Sequence, residues 1–426
     1  MVTKKVVVIG GGFGGLNVTT SLKQTSVDVF LIDKKNHHLF QPLLYEVATA
    51  AISPGDIATP LREILRNQSN AAVIMGEVIH IDKCAKKITL GDGENIDYDT
   101  LVIAIGARHS YFGKEAWEPF APGLKTVNDA EQIRERILLS FERAERLKTF
   151  AGKDASLNFV IVGGGPTGVE MAGAIAEIAY KTMTKNFRYI DPSKAHIYLI
   201  EALPSILPMF PPRLARIATK TLEKMGVKVL TGKTVTDIHA NGIHIEDVFI
   251  ESENVIWAAG NQVSSLLKSL DTPLDRSGRA IVESDLSLPG HQEIFVIGDA
   301  ARVDTKKGKT LPGVAPVAMQ QGRYVANLII NDFSKENRPP FCYFDKGSLA
   351  TIGKFKAIAL FWKFQFSGFF AWLIWALVHV MFLIGFRNRV GVMLDWGAVI
   401  FTGRRGVRLI TQPIDKEEKE TQNSGF

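Results

Sequence analysis

The residues with the most chemistry in them are two clusters of glycine, each followed at a distance by one carboxylate. Gly10, Gly12 and Gly15 stand in a GxGxxG spacing within Gly10-Gly11-Gly12-Phe13-Gly14-Gly15, and Asp33 follows 18 residues after Gly15. Gly163, Gly165 and Gly168 repeat the spacing within Gly163-Gly164-Gly165-Pro166-Thr167-Gly168, and Glu201 follows after a longer gap of 33 residues. In such a pattern the first glycine permits a tight turn, the second lets a pyrophosphate approach the backbone, and the third lets a helix pack on a strand. The acid accepts hydrogen bonds from ribose hydroxyls. At the second cluster, Glu201 favours NADH, because it would repel the 2′-phosphate of NADPH. Two complete fingerprints imply two bound dinucleotides, and a chain that holds two usually passes a hydride between them. Glu170, two residues after Gly168, places one more carboxylate in the first turn of the second helix; stabilising that helix end is its plainer role.

These residues need strands and helices in a fixed order around them. The β-branched run 6–9 predicts a buried parallel strand, 16–24 a helix, and 27–32 a strand ending at Asp33. The second set predicts a strand over 159–162, a helix from 169 to about 182, and a strand over 197–200 ending at Glu201. The extra length before Glu201 implies a short insertion around 185–193. Two further short strands end in glycine, one holding Ala104 before Gly106 and one before Gly260. A third, over 294–297, leads into Gly298-Asp299-Ala300. Gln320 and Gln321 precede a helix through 326–330, where their amides either face a ligand or serve as caps and core hydrogen bonds. The fold class expected is α/β: two Rossmann-like dinucleotide-binding domains with a C-terminal helical membrane-anchoring module.

The chain has 426 residues, enough for two or three domains, with 46% hydrophobic and 22% charged residues, which places it among globular proteins. Two distant cysteines, Cys84 and Cys342, exclude a disulfide scaffold, a zinc ribbon and a CxxC redox site. The net charge of +6 invites a nucleic-acid partner until it is located. Between Phe341 and Ile414 there are nine Lys and Arg residues against only Asp345 and Asp395; the tail from Asp415 is acidic and the rest of the chain is nearly neutral. That same segment holds the longest uncharged run, 364–386, with Trp372, Trp375 and His379, flanked by Lys363, Arg387 and Arg389. As one helix it would measure roughly 34 Å, enough to cross a bilayer. Whether it spans or lies in the surface stays open, as does a buried helix at an oligomer interface. Apolar surface, tryptophans and flanking cations describe a membrane foot rather than a nucleic-acid face. A signal peptide is not expected, since the apolar stretch after Lys4 and Lys5 is too short.

Together these elements resemble the two-dinucleotide-binding flavoproteins, and within them the type II NADH dehydrogenases, the single-subunit NADH:quinone oxidoreductases. Four stretches carry the resemblance: Phe40-Gln41-Pro42-Leu43-Leu44-Tyr45-Glu46-Val47-Ala48, Gly163 to Glu170, Ala315-Pro316-Val317-Ala318-Met319-Gln320-Gln321-Gly322, and the membrane segment from Ala371-Trp372 to Arg389. The third is similar to the family's AQxAxQQG motif but has Pro316 where the first glutamine belongs, so no role of that amide carries over.

The resemblance implies FAD, held non-covalently, in a domain of two parts, 1–115 and 263–340, around an NADH-binding domain, 116–262, with a membrane-binding module over 341–426. It places FAD at Gly10, Gly12, Phe13, Gly14, Gly15, Asp33, Lys34, Val78, Ala104, Gly106, Asp299 and Ala318. NADH would lie at Gly163, Gly165, Gly168, Glu201 and Gly260. It gives Glu170 a part in holding nicotinamide against flavin, and sets Gln320 and Gln321 toward flavin and quinone. The implied reaction passes a hydride from NADH to flavin and two electrons on to ubiquinone or menaquinone, without proton pumping. Implied partners are the lipid bilayer through residues 341–414 and a second copy of the chain, at the cytoplasmic face of a bacterial inner membrane. A sulfide:quinone oxidoreductase would need cysteines that Cys84 and Cys342 do not supply. A membrane-docked NADH sensor without turnover is the alternative of a different class.

Overall fold

Val6, Val7, Val8 and Ile9 run through the middle of a sheet and are buried on both faces, as a β-branched run with no polar alternation requires. The computed structural model describes residues 3–147, 153–305, 308–403 and 405–411. Arg404 and the tail from Gln412, Asp415 included, lie outside the described residues. The chain divides into two compact units. The first takes in the chain up to Phe40 together with Ala58–Ser110 and Gly260–Gly347; the second takes in Gln41–Ile57, Tyr111–Ala259 and what is described from Ser348 onward.

In the first unit six strands lie in the order Ser287–Leu288, His291–Val296, Thr100–Ile103, Lys4–Ile9, Val27–Asp33 and Ala71–Met75. All pairs are parallel except the short outer strand Ser287–Leu288, and the register sets Val6 beside Val29 and Thr100. In the second unit four parallel strands lie in the order Val227–Thr231, His196–Glu201, Asn158–Val162 and Asn254–Trp257. Both sheets put the glycine-bearing strand between the strand that ends in the acid and a strand supplied later in the chain. The carboxyl ends around such a central strand form the crevice where a dinucleotide sits.

The second unit also carries a three-stranded antiparallel sheet, Ser348–Gly353, Lys356–Phe361 and Phe364–Gly368, followed by helices Phe369–Phe382 and Phe386–Thr402. The run 364–386 is therefore not one helix, contrary to expectation. Its first five residues pair with Lys356–Phe361, and Gly368, at φ +79°, turns the chain into the helix. Among the described residues no helix is long and apolar enough to cross a membrane.

Three boundaries also shift. The first helix is Phe13–Ser21, ended before Gln24 at φ +64°. Glu170 is the fifth residue of helix Pro166–Glu177, one turn deeper than expected, which removes it from the helix end. Gln320 and Gln321 sit inside helix Ala315–Ile330 rather than ahead of it, because Pro316 occupies the first turn, where a missing N–H costs no hydrogen bond.

Candidate active site

The two glycine turns are built alike, atom for atom. Gly10 has φ +102°, and a Cβ on it would lie 2.4 Å from the Ala104 carbonyl oxygen; Gly163 has φ +110° and would place its Cβ 2.8 Å from the Ala258 carbonyl oxygen. A Cβ on Gly15 would fall 1.9 Å from Gly10 O, and one on Gly168 1.8 Å from Gly163 O, so only glycine lets each helix close on its strand. Gly12 and Gly165 face open space instead. There a pyrophosphate could approach the helix N-terminus, and neither helix has an acid in its first turn to repel it.

The acids serve the turns as well. Asp33 accepts from Gly11 N at 2.6 Å and from Lys35 N at 2.7 Å, while Glu201 accepts from Gly164 N at 2.6 Å and from Leu203 N at 2.8 Å. A carboxylate has about four acceptor directions, so each retains capacity for a ribose hydroxyl.

In the first unit, Gly14 meets Ile297 and Ala318, and a Cβ on Gly322 would lie 2.5 Å from Gly14 O, so helix Ala315–Ile330 lies flush on the glycine helix. Gln321 is buried and accepts from Gly298 N at 2.7 Å. Gln320 makes a two-way brace with Phe344, donating to its O at 2.9 Å and accepting from its N at 3.0 Å. The Gln320 amide is thus spent on the backbone. A cavity of about 220 Å³ in this unit is lined by Gly298, Asp299, Ala301, Gly313, Val317 and Gln321, among others. Phe13 packs edge-on against His38 and Phe40. Val78 is buried at the start of strand Val78–Asp82, Lys34 lies 3.9 Å from Glu77, and Gly106 and Gly260 take φ +65° and +70°.

In the second unit Glu170 faces a cavity of about 70 Å³ that it shares with Tyr45, Glu46, Glu177, Lys354 and Arg405, walled by Trp372, Trp375 and Trp396. Glu46 Oε1 accepts from the Tyr45 hydroxyl at 2.9 Å and Oε2 from Trp396 Nε1 at 2.6 Å. Glu177 accepts from Lys354 N at 2.6 Å and from Arg405 at 3.1 Å, and Arg405 also donates to Thr49 O and Oγ1, both at 2.8 Å. Burial pushes the Glu170 carboxyl well above the usual carboxylate range, against a hydrogen bond from the Thr351 backbone, and the charge of Glu46 pushes it further. Burial raises Glu46 too, but the bonds from Trp396 and Tyr45 pull against it.

Sequence reasoning missed Glu46, Trp396 and Arg405 as members of this cluster, although Tyr45 and Glu46 lay in a stretch that carried the resemblance. It also missed His38, buried with Nδ1 2.9 Å from Gly11 O. A His in a strand after the first acid gives no spacing signal.

Residues 4–322 match the pyridine nucleotide-disulphide oxidoreductase family, and residues 346–405 match the NDH2 C-terminal domain. A type II NADH:quinone oxidoreductase of Mycobacterium tuberculosis, Ndh, is 45% identical over 96% of this chain and 90% of its own length. The chain belongs to the type II NADH:quinone oxidoreductases. A less similar relative aligns over nearly the same extent: an internal alternative NAD(P)H-ubiquinone oxidoreductase of Arabidopsis thaliana mitochondria is 30% identical, over 94% of this chain and 84% of its own. The structure of NDH2 from Plasmodium falciparum in complex with NADH superposes with a TM-score of 0.87 at 22% identity, covering 96% of this chain and all of that one. A sulfide:quinone oxidoreductase from Aquifex aeolicus shares the fold with a TM-score of 0.72 at 20% identity, over 96% of each chain. At such identities the likeness concerns the fold. The α/β architecture expected for a type II NADH:quinone oxidoreductase is therefore present. The first unit fits its FAD: the turn is open over Gly12, Asp33 keeps acceptor capacity, and a polar-walled cavity reaches Asp299.

Proposed function

We propose that this chain works as a non-pumping NADH:quinone oxidoreductase on a membrane surface, with FAD on the first cradle and NADH on the second. Bound FAD supplies the redox chemistry, taking a hydride from NADH and returning two electrons to a quinone. The protein's part is to bind, orient and insulate. The observation that carries the reading is the paired construction of the cradles, each with a glycine turn tied to its own acid.

The first turn, with Gly10, Gly12, Phe13, Gly14 and Gly15, holds one pyrophosphate. Asp33 and Lys34 hold the adenosine ribose, and Val78, Ala104, Gly106, Asp299 and Ala318 complete that site. Gly163, Gly165 and Gly168 hold the second nucleotide, with Glu201 on its ribose. Glu170 helps hold the nicotinamide in place. Gln321 orients the Gly298 turn that carries Asp299, and Gln320, braced on Phe344, shapes the chain entering the C-terminal segment. The support for these roles is the geometry of each cradle and cavity.

Membrane attachment follows from an uncovered apolar face. Phe370, Leu377, Met381, Phe386, Leu394 and Phe401 are all exposed on two consecutive helices, with Arg387 and Arg389 in the first turn of the second. Helix Phe369–Phe382 measures about 21 Å at ~1.5 Å per residue, short of the roughly 30 Å hydrocarbon core. It suits the surface of one leaflet, where a lipid-soluble quinone is met. Pairing of two copies beside this face would cover part of it. NADH is a cytosolic reductant, which sets this face toward the cytoplasmic side of a bacterial inner membrane.

The test is a single cuvette: the detergent-purified protein, kept anaerobic, receives NADH and then a short-chain quinone. Yellow absorbance bleached by NADH and restored by quinone is the expected result. Bleaching without restoration would remove the quinone; a folded protein without flavin would move the reading to a sensor.

A further inference from the structure

The cavity beside Glu170 holds three carboxyl groups, and they are not treated alike. Glu46 has a side-chain donor on each oxygen, from Tyr45 and Trp396. Glu177 has the Lys354 N–H on one oxygen and the Arg405 guanidinium on the other. Glu170 has the Thr351 backbone and, among the described residues, no side-chain donor. The cations offer it little: Arg405 is spent on Glu177 and Thr49, and the Lys354 ammonium donates to Ile400 O at 2.7 Å. Glu177 has its own cation in Arg405, which leaves Glu46 and Glu170 as two carboxyls on one small cavity with the cations already engaged; ionising both is unfavourable, and the proton settles on the group whose anion is less supported by hydrogen bonds. By that criterion it settles on Glu170.

We propose that Glu46 is the positioning residue for this proton: held as an anion by Tyr45 and Trp396, it keeps Glu170 a neutral acid whose O–H is offered to a carbonyl oxygen in the cavity. Trp396 belongs to helix Phe386–Thr402, so the seating of that C-terminal helix decides which of the two carboxyls is protonated. Only the chemical class of the acceptor, a quinone-type carbonyl, rests on the proposed function; the placement of the proton does not.

Infrared difference titration of the full-length, flavin-loaded protein reads this directly, because a carboxylic acid C=O stretch is distinct from that of a carboxylate. At neutral pH the wild-type band should vanish in Glu170→Gln. In Glu46→Gln, which removes the neighbouring charge, its pH midpoint should fall by about one unit or more, a tenfold change in proton affinity. In Trp396→Phe, Glu46 loses a donor and should take the proton. The band should then survive Glu170→Gln in that background and vanish with Glu46→Gln. Retained flavin colour certifies folding for each variant, and should Glu46→Gln fail to hold flavin, the Trp396→Phe/Glu170→Gln double variant alone decides, by whether its band survives. A wild-type band that survives Glu170→Gln, no band at all, or a midpoint indifferent to both neighbours would overturn the assignment. NADH-dependent quinone reduction, measured separately, fails or holds independently of it.

Discussion

Glu201 does two things with one carboxylate, and the separation of the two makes it testable. It holds its own turn through Gly164 N and Leu203 N, and it leaves acceptor capacity for a ribose. Hydrogen bonds to a charged group contribute about 1.5–3 kcal/mol. Glu201→Gln, which keeps an amide oxygen as an acceptor for the turn and removes the charge, should therefore raise the KM for NADH by roughly tenfold, while activity with NADPH rises or holds because the repulsion is gone. Steady-state kinetics with both nucleotides check this; an unchanged preference would remove Glu201 from the ribose. The acids were readable from the chain because their partners are the glycines just before them. Glu46 and Trp396 were not, since 350 positions separate the two ends of that hydrogen bond. Nothing local announces that an indole on a late helix will meet an early carboxylate.

At the scale of elements, helix Pro166–Glu177 lies close against strand Ser348–Gly353. A Cβ on Gly173 would stand 1.8 Å from Ile352 O, a backbone atom that cannot step aside cheaply. Gly173→Ala should push helix and strand apart and cost about 1–3 kcal/mol, the usual price of overpacking. A thermal melt shows this as a lower Tm, with an unchanged Tm as the contrary result. The strand–turn–helix units were legible because their signals are contiguous: a β-branched run, a glycine spacing and a terminal acid. The 364–386 run misled for the complementary reason. The run carries no charge, and what breaks it is the antiparallel pairing of Phe364–Gly368 with Lys356–Phe361, a tertiary fact, aided by two glycines at positive φ, Gly368 and Gly385. Gln320 and Gln321 were found by motif, yet their hydrogen bonds to Phe344 and Gly298 become visible only when the chain returns to them.

For the molecule as a whole, acid stability has an identifiable contributor in the first unit. Burial works against the charge of Asp285, but hydrogen bonds from Lys335, Ser287 and Arg338 outweigh it and hold the carboxyl down at about 2. A depressed folded-state value stabilises above the unfolded value of about 4, and that contribution is lost as pH falls from there through about 2. After solvent screening it amounts to roughly 1–2 kcal/mol. Asp285→Asn should lower Tm at neutral pH and flatten its fall between those limits; a parallel acid profile would contradict it. The distribution of tryptophan has a further, optical consequence. Of the chain's six indoles, Trp372, Trp375 and Trp396 wall one cavity, Trp117 and Trp257 pack together in a core, and Trp362 is 77% exposed. Emission from this protein thus divides by wavelength into five buried or half-buried indoles and one wet reporter, Trp362. Its blue shift would register vesicle contact, while quenching of the buried component would register a quinone entering beside Glu170.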